Sequence, residues 1–256
     1  MPIEYVEVEE AIARTGLRMV VVGGVPSPWS EAAKGILRLK SIPWSAVRLV
    51  YDSEALRQWA GQRSGPVAIF DSEPPRHTWS DILLLAERLA PEPPMLPADA
   101  LDRALALGIA HEICGEGGLG WSRRLQLIHS GLAGQGGFPE RTCRYLGRKY
   151  GYTASAGEAA GARVCALLDM LAARLKRQRE AGSPFFFGPT VGAVDIYSAT
   201  FMALFAPLPE AVCAMDAATR ASFETLDAAT QAALDPVLLA HRDMIYADFM
   251  ELPLSL

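Results

Sequence analysis

Apolar and polar positions in the N-terminal third of the chain alternate between strand-like and helix-like patterns. Residues 17–23 form an apolar, β-branched run, which predicts a buried strand. From Ser27 the apolar positions recur at helical spacing, and this helix is expected to stop before Pro43. Further strands are predicted over residues 46–51 and over residues 66–70, where a proline opens the strand.

Shorter elements complete this part of the chain. Residues 53–60 predict a short helix, and residues 71–77 hold turn formers with a short fourth strand. Thr78 is expected to cap the next amphipathic helix. The order strand–helix–strand–helix–strand–strand–helix predicts a small α/β domain over residues 1–90, with residues 1–16 as an extension.

A proline-rich segment then changes the character of the chain. Residues 91–97 begin with three prolines in four positions, which predicts a stiff linker and a domain boundary. Beyond it the Ala- and Leu-rich stretches recur at helical spacing, so residues 98–256 predict an all-helical bundle. Its helices are expected over residues 98–114, 140–149, 159–180, 193–205 and 235–250.

Composition narrows the possible partners. The net charge is −5 and no basic block occurs, so we expect no nucleic-acid partner. No apolar run reaches the ~18 residues of a membrane helix, and Met1–Tyr5 do not begin a signal peptide, so a cytoplasmic protein without a membrane partner is expected. Four cysteines lie far apart without CxxC or CxxxH spacing, which predicts isolated core thiols and no metal site.

Four segments, in this order, resemble motifs of the glutathione transferase superfamily. Ser27–Glu31 looks like the Cys-Pro-Phe/Tyr or Ser-Pro-Phe start of the first helix in the omega and tau classes. Ser64–Val67 resembles the turn before the cis-proline of that family, and Thr78–Ile82 falls where the family has Thr-Glu-Ser. Phe186–Gly188 followed by Val194–Tyr197 looks like the Phe-Gly and Ala-Asp-Ile-Tyr segment of the core helix in its second domain.

The resemblance covers nearly the whole chain and implies both a fold and a ligand. The fold would be a thioredoxin-like α/β N-terminal domain that binds glutathione, followed by an all-α C-terminal domain. Glutathione would serve as co-substrate, a small hydrophobic electrophile would be the second substrate, and the protein would be a homodimer.

Two positions depart from the family pattern. The Glu of the family's Glu-Ser pair is Trp79, which removes a ligand-binding charge. The hydroxyl that usually caps the core helix is replaced by Gly192, which still serves as an N-cap without a side-chain acceptor. Asp195 would then stand at the third helical position, where its carboxylate can accept the free N–H of the cap, so we expect it to be structural.

Ser27 is the candidate catalytic residue. A free thiol has a pKa of about 8.5, so glutathione chemistry requires a site that stabilises the thiolate. The helix N-terminus favours an anion, and the Ser27 hydroxyl can donate a hydrogen bond to the sulfur. Alternatively, Ser27 is only an N-cap, with Ser30 as the second candidate. A serine here argues against thiol–disulfide exchange, since it cannot form a mixed disulfide.

The resemblance assigns four residues to glutathione. A cis bond before Pro66 would turn the backbone of Gly65 toward the cysteinyl part of the ligand; otherwise this proline only opens an edge strand. Ser80 would hold the γ-glutamyl carboxylate or be a solvated helix-start serine. Trp79 would contact the ligand ammonium through its ring face or, more often for a tryptophan, pack in the structure.

The second-substrate site of the family lies between the domains, and Trp29, His111 and Trp121 are its candidates here. Four glycines between residues 115 and 120 are expected to break or kink a helix. His111 and Glu112 are either acid–base groups or ordinary helix residues. The other histidines, among them His129 and His241, show no partner pattern and are expected to be structural.

These features lead to one function and one alternative. The first is transfer of glutathione to a small apolar electrophile, or removal of a group from it, by positioning and thiolate stabilisation. The alternative is a non-catalytic binding or interaction protein on the same fold, which the Trp79 departure favours. A glutathione-dependent reductase is disfavoured by Ser27.

Overall fold

The computed structural model of the chain describes residue 3 and residues 5–256. Within this part of the chain lie three strands, twelve α-helices and one turn of 3₁₀ helix. Residues 1, 2 and 4, which begin the predicted extension, lie outside the described residues.

The strands form a mixed sheet in the order β2–β1–β3. The central strand β1 is buried throughout, pairs parallel to β2 and pairs antiparallel to β3. Valine pairs fix the register, with Val20 opposite Val47 on one side and Val67 on the other. The strand bounds are β1 Leu17–Val21, β2 Trp44–Arg48 and β3 Val67–Phe70.

Two strand predictions need correction. The second strand begins at Trp44 and ends at Arg48, two residues earlier than the start predicted from sequence, because it pairs with the five residues of β1. The fourth strand is wrong: among the described residues it is reduced to a single bridge between Ala68 and Arg76. Adjacent prolines at residues 74 and 75 lack the N–H donors that a longer ladder needs.

Four helices cover the two faces of this sheet. On one face α1 and α3 bury Val8 and Leu56 against Val20, whereas α2 and α4 bury Ile36 and Leu83 on the opposite face. Helix α1 was not predicted from the sequence. The bounds are α1 Val8–Ala13, α2 Pro28–Leu39, α3 Glu54–Ala60 and α4 Trp79–Leu89.

The rest of the described chain is helical, as predicted. Helix α6 was not predicted because the glycine-rich segment hides its start: Gly115 caps the end of α5 and Gly118 caps the start of α6. The short helices α10 and α11 were also missed. The bounds are α5 Ala100–Cys114, α6 Leu119–Leu132, α7 Glu140–Lys149, α8 Ala154–Glu180, α9 Ala193–Phe201, α10 Ala217–Glu224, α11 Ala228–Ala233 and α12 Pro236–Phe249.

Helix α9 is the centre of the second half, since all nine of its residues are buried. Its cap follows the sequence prediction: the N–H of Gly192 donates to Oδ2 of Asp195 at 2.9 Å. Residues 90–99 form neither helix nor strand, and the N–H of Ala193 donates to the carbonyl of Met95 in this segment at 2.8 Å. One buried cluster spans both halves of the chain, and the domain boundary at residues 91–97 stays a prediction.

Among the helices of the described residues, none combines the length and the apolar character that crossing a bilayer requires.

Candidate functional site

Ser27 stands at the first turn of α2. Its backbone is extended, its carbonyl accepts the N–H of Glu31 at 2.8 Å, and Pro28 occupies the first helical position. The Ser27 hydroxyl, however, makes no capping hydrogen bond. The N-cap alternative therefore accounts for the backbone of Ser27 but not for its side chain.

Ser30, the second candidate, has a different role. It is fully buried, and its Oγ accepts the N–H of Val22 at 3.1 Å, just after the end of β1. This bond fastens the start of α2 to the sheet. Ser30 lines neither of the two cavities described below.

Next to α2 lies a cavity of about 440 Å³, which we call the small cavity. Its lining contains all four residues assigned to glutathione from the sequence, and also the three assigned to the second substrate. The two groups therefore share one cavity instead of forming separate sites. These seven residues are Gly65, Pro66, Trp79, Ser80, Trp29, His111 and Trp121.

The Gly65–Pro66 peptide bond is cis, as predicted. Gly65 lies close to the end of β1, where a side-chain Cβ would come within 3.4 Å of the Val20 carbonyl oxygen and the Val22 nitrogen. Among the described residues, nothing forms a backbone hydrogen bond with Gly65. Its N–H and C=O are therefore available to a ligand in the small cavity.

The N-terminus of α4 contributes another wall of this cavity. Thr78 caps the helix by accepting the N–H of Asp81 at 3.0 Å, and the hydroxyls of Thr78 and Ser80 lie 2.9 Å apart. Ser80 is half-buried at the second helical position. Unpaired N–H groups of a first turn attract a carboxylate, and both hydroxyls stand beside them.

Trp79 is held by packing. Its ring meets the edge of Tyr197 with centroids 5.6 Å apart, and it lies 6.4 Å from the ring of His111. These contacts agree with the packing alternative for Trp79. His111 itself is exposed near the end of α5, and the neighbouring Glu112 is bound in an ion pair with Arg163.

Two further tryptophans close the small cavity. The Trp29 indole donates from Nε1 to the carbonyl of Cys114 at 2.9 Å and packs edge-on against Phe201. Gly120 allows this approach, since a Cβ there would overlap both rings. Trp121 packs edge-on against Tyr150 with centroids 4.8 Å apart. This contact joins α6 to the end of α7 in the wall of the cavity.

A second space of about 1110 Å³, which we call the large cavity, adjoins the first. Ser27 lines it together with Trp29 and Gly65, and the last two also line the small cavity. Lys149 and Tyr150 are likewise shared, and Lys149 Nζ donates to Ser64 Oγ at 2.8 Å. Ser27 therefore borders the large cavity and does not itself line the small one.

Sequence reasoning missed several lining residues of these cavities. Arg124, Lys149 and Tyr150 come from α6 and from the end of α7, and Ser222 and Phe223 come from α10. The only sequence signal among them was the Arg123–Arg124 pair, which is too short to read as a binding patch. Tertiary packing alone brings these three elements to the cavity that Ser27 lines.

Cys114 is the one cysteine among the described lining residues of the two cavities, and it is not a competing nucleophile. Cys114 lines the small cavity, but burial raises the pKa of its thiol well above the ordinary value. It therefore stays protonated at neutral pH. All four cysteines are free thiols, and three of them are buried. Across the described residues, no group of three or more His, Cys, Asp or Glu side chains is placed to hold a metal ion.

Comparison with known proteins identifies the fold. No protein-family model and no curated protein matches the sequence. A glutathione S-transferase from Methylobacillus flagellatus with glutathione bound aligns with a TM-score of 0.63 at 12% identity, covering 90% of this chain and 95% of that chain. Glutathione transferase Omega 3C from Trametes versicolor aligns with a TM-score of 0.58 at 15% identity, covering 94% and 89%.

A glutathione transferase family member from Pseudomonas fluorescens, solved with two glutathione bound, gives a TM-score of 0.62 at 12% identity and covers 94% of this chain and 93% of that chain. Because the matches span nearly the whole of each chain, they concern both halves of the structure. The chain has the glutathione transferase fold, as its motifs predicted.

Proposed function

We propose that this protein is a glutathione transferase that stabilises the thiolate of glutathione at the N-terminus of α2, with Ser27 as the hydrogen-bond donor. The observation that carries the proposal is the position of the Ser27 hydroxyl. The hydroxyl makes no cap bond, and Ser27 lines the larger cavity together with Trp29 and Gly65, which also line the smaller cavity proposed for glutathione.

The small cavity would hold glutathione through backbone groups and a helix start. Gly65 offers an N–H and a C=O to the cysteinyl part, and the first turn of α4 offers its N–H groups with Thr78 and Ser80 to the γ-glutamyl carboxylate. Two of the three structures named above contain glutathione, which supports the same ligand here.

The reaction would be nucleophilic attack by the bound sulfur. Thiolate formation is favoured by the positive end of the α2 dipole and by one hydrogen bond from Ser27. The electrophile would sit in the large cavity, so the two reactants are held next to each other. We expect addition to, or displacement from, a small hydrophobic electrophile, with no metal ion in the step.

Glutathione binding is tested by calorimetry on the intact protein, followed by turnover with an aryl halide. Ser80→Ala should weaken glutathione binding several-fold. Ser155→Ala is a matched control, because Thr153 and Ser155 repeat the same cap arrangement at the start of α8, with hydroxyls 3.2 Å apart. Equal effects of both variants, or no binding to the wild type, would contradict this assignment.

One observation favours the alternative, a non-catalytic binding protein. Trp79 packs against Tyr197 at the place where the family resemblance expects a carboxylate for the ligand ammonium. Retention on immobilised glutathione without turnover of any aryl halide or enone would support this alternative.

We also propose that the protein is a homodimer in the cytoplasm. Three leucines on α4 and α5 are strongly exposed: Leu84 at 45%, Leu101 at 82% and Leu105 at 47%. Leu101 and Leu105 share one face of α5, and apolar side chains on such a face favour burial against a second copy.

A further inference from the structure

The lining of the large cavity includes a cation, Arg124, that the proposed mechanism does not use. Arg124 on α6 is half-buried, and its Nε is fully buried without a hydrogen-bond partner among the described residues. Buried donors are normally satisfied, and charged ones are especially costly to leave unpaired. A ligand cannot reach a fully buried Nε, so an acidic ligand in the cavity would pair with the terminal nitrogens of the guanidinium, which bind no described carboxylate.

Aromatic rings surround the guanidinium. Its Cζ lies 5.5 Å from the ring centroid of Phe138 and 5.1 Å from that of Phe223. Burial lowers the pKa of Arg124, and the neighbouring phenols of Tyr150 and Tyr51 oppose this effect. Phe138 and Phe223 are themselves buried, at 5% and 1% exposure, so the two rings hold the guanidinium in place and give the cavity an apolar wall beside a partly desolvated cation.

The carboxylates of this cavity are already engaged. Glu140 pairs with Arg144 at 2.5 Å, and Asp216 caps α10 by accepting the N–H of Thr219 at 2.8 Å. In contrast, none of the described carboxylates pairs with the other four cations of the lining, which are Arg124, Arg141, Arg148 and Lys149. In a chain of net charge −5, this cavity is locally positive.

We propose that the large cavity selects aromatic ligands that carry a carboxylate or sulfonate, with Arg124 pairing with the acidic group and the aromatic lining of the cavity contacting the ring. If such a ligand is the second substrate, this proposal rests on the proposed function. It then narrows the expected apolar electrophile to an acidic aromatic one. A charge-assisted hydrogen bond from a desolvated guanidinium supplies the selection.

The first arm of the test uses no glutathione. Fluorescence titrations compare anilinonaphthalene sulfonate with phenylnaphthylamine, its neutral and more apolar analogue. A merely apolar cavity would prefer the neutral amine, whereas we expect the wild type to prefer the sulfonate. Arg124→Gln should weaken sulfonate binding about tenfold or more and leave binding of the amine within about twofold, well below the size of that effect.

Two further variants sharpen this arm. Arg124→Lys keeps a cation at the site and should retain part of the preference. Arg141→Gln removes an exposed cation from the rim and should change sulfonate binding only slightly. A wild type that binds the sulfonate no better than the amine overturns the proposal even if no Arg124 variant folds. Equal losses in Arg124→Gln and Arg141→Gln also overturn it.

The second arm measures turnover with glutathione, using ethacrynic acid and its methyl ester. In this addition the sulfur forms a bond to the β-carbon of the enone, the π pair moves toward the carbonyl, and the α-carbon takes a proton from water. We expect a lower KM for the acid than for the ester, and loss of this difference in Arg124→Gln.

The binding experiment and the turnover experiment distinguish the acidic-ligand proposal from the transferase proposal. Sulfonate binding through Arg124 without turnover of either enone would remove the transferase function and keep the acidic ligand site. Equal turnover of acid and ester, unaffected by Arg124→Gln, would keep the transferase function and remove the selection by charge.

Discussion

The imidazole of His241 and the carboxylate of Asp195 meet in the buried core, with Nε2 of the ring 2.9 Å from Oδ1 of the carboxylate. The same carboxylate accepts the N–H of Gly192 and the N–H of Phe186, each at 2.9 Å. One side chain thus joins α9, α12 and the segment before α9. The sequence predicted the bond to Gly192, whereas the partner on α12 lies 46 residues away.

Asp195→Ala should therefore cost more than the loss of a cap. A lost N-cap costs about 1 kcal/mol, and each buried donor left without a partner adds about 1–3 kcal/mol. We expect a loss of about 3 kcal/mol or more in the free energy of unfolding, measured in urea. Asp216→Ala, which removes an exposed cap of α10 alone, should cost about 1 kcal/mol.

The comparison of the two variants decides this prediction. If Asp195→Ala were no more destabilising than Asp216→Ala, the three hydrogen bonds would not act together. Unchanged stability with lost activity would instead make Asp195 a functional residue.

Arg123 is the sequence neighbour of Arg124, but its role is structural. It is buried, and its guanidinium donates to the carbonyls of Leu204 at 3.0 Å, Phe223 at 3.0 Å and Thr225 at 2.6 Å. Burial lowers the pKa of Arg123 to about 9, so it remains charged at neutral pH. The side chain fastens α6 to the segments around α10.

Arg123→Met should destabilise the protein by about 3 kcal/mol or more, because it leaves several carbonyls buried without donors. Arg123→Lys should also destabilise, since one ammonium cannot reproduce the fork of the guanidinium. Arg177→Met, on the exposed face of α8, is the control and should stay within about 0.5 kcal/mol. A harmless Arg123→Lys would show that charge alone matters at this site.

Aspartates cap four helices in the second half of the chain, namely Asp99, Asp216, Asp227 and Asp235. The hydrogen bonds with Thr219 lower the pKa of Asp216, and the bond from Lys176 lowers that of Asp235. A carboxyl with a lowered folded pKa stabilises the fold above its unfolded pKa, and this contribution is lost as pH falls through the folded pKa. The free energy of unfolding should therefore fall below about pH 4.

The double variant Asp216→Asn, Asp235→Asn tests this pH dependence. Asparagine still accepts the capping hydrogen bond but does not titrate in this range. Urea unfolding at several pH values should show a shallower loss of stability for the variant between about pH 5 and pH 3. Because Asp216 is exposed and Asp235 is only partly buried, the difference should be small. If stability fell with pH equally in the wild type and the variant, these two caps would not be the cause of the loss.

Local signals in the sequence were enough to predict much of the fold. The apolar run of β1, the Thr78 cap and the proline before β3 each act through neighbouring residues, and the structure confirms all three. The four motif segments then indicated the overall arrangement. Residues near them in sequence, such as Gly65 and Ser80, were placed in the site for this reason.

The rest depends on contacts between distant segments. Helix α6 starts inside a glycine-rich segment whose local signals predict a break, although packing against Trp29 and Phe201 requires a glycine at residue 120. Arg124 and Tyr150 line the large cavity only because α6 and the end of α7 fold against α2. No periodicity or motif in the sequence could show this arrangement.

The proposed homodimer predicts an effect of charge on the exposed face of α5. Leu101→Glu with Leu105→Glu places two charges in the proposed interface and should convert the dimer to a monomer at micromolar concentration. Leu132→Glu on α6, where the leucine is 50% exposed, should leave the dimer intact. Sedimentation velocity measures both, and a wild type with the mass of one chain would contradict the dimer itself.

Ser27 leads to the last prediction, which concerns the proposed thiolate. Its hydroxyl makes no cap hydrogen bond, so Ser27→Ala should change stability by less than the usual ~1 kcal/mol of a lost cap. Glutathione affinity should also change little, because Gly65 and the start of α4 would supply most of the contacts. The hydroxyl would matter only for the charge on the sulfur.

The pKa of the bound thiol should therefore rise in Ser27→Ala. A rise of one unit corresponds to ~1.4 kcal/mol of lost preference for the thiolate, so turnover near neutral pH should drop roughly tenfold and recover at higher pH. Titration of the thiolate absorbance of bound glutathione measures the shift directly. Ser53→Ala is the control: its hydroxyl does cap α3, at 3.2 Å from the Leu56 nitrogen, so it should lose stability and keep the titration curve. An unchanged curve in Ser27→Ala would leave the dipole of α2 as the only stabiliser of the thiolate.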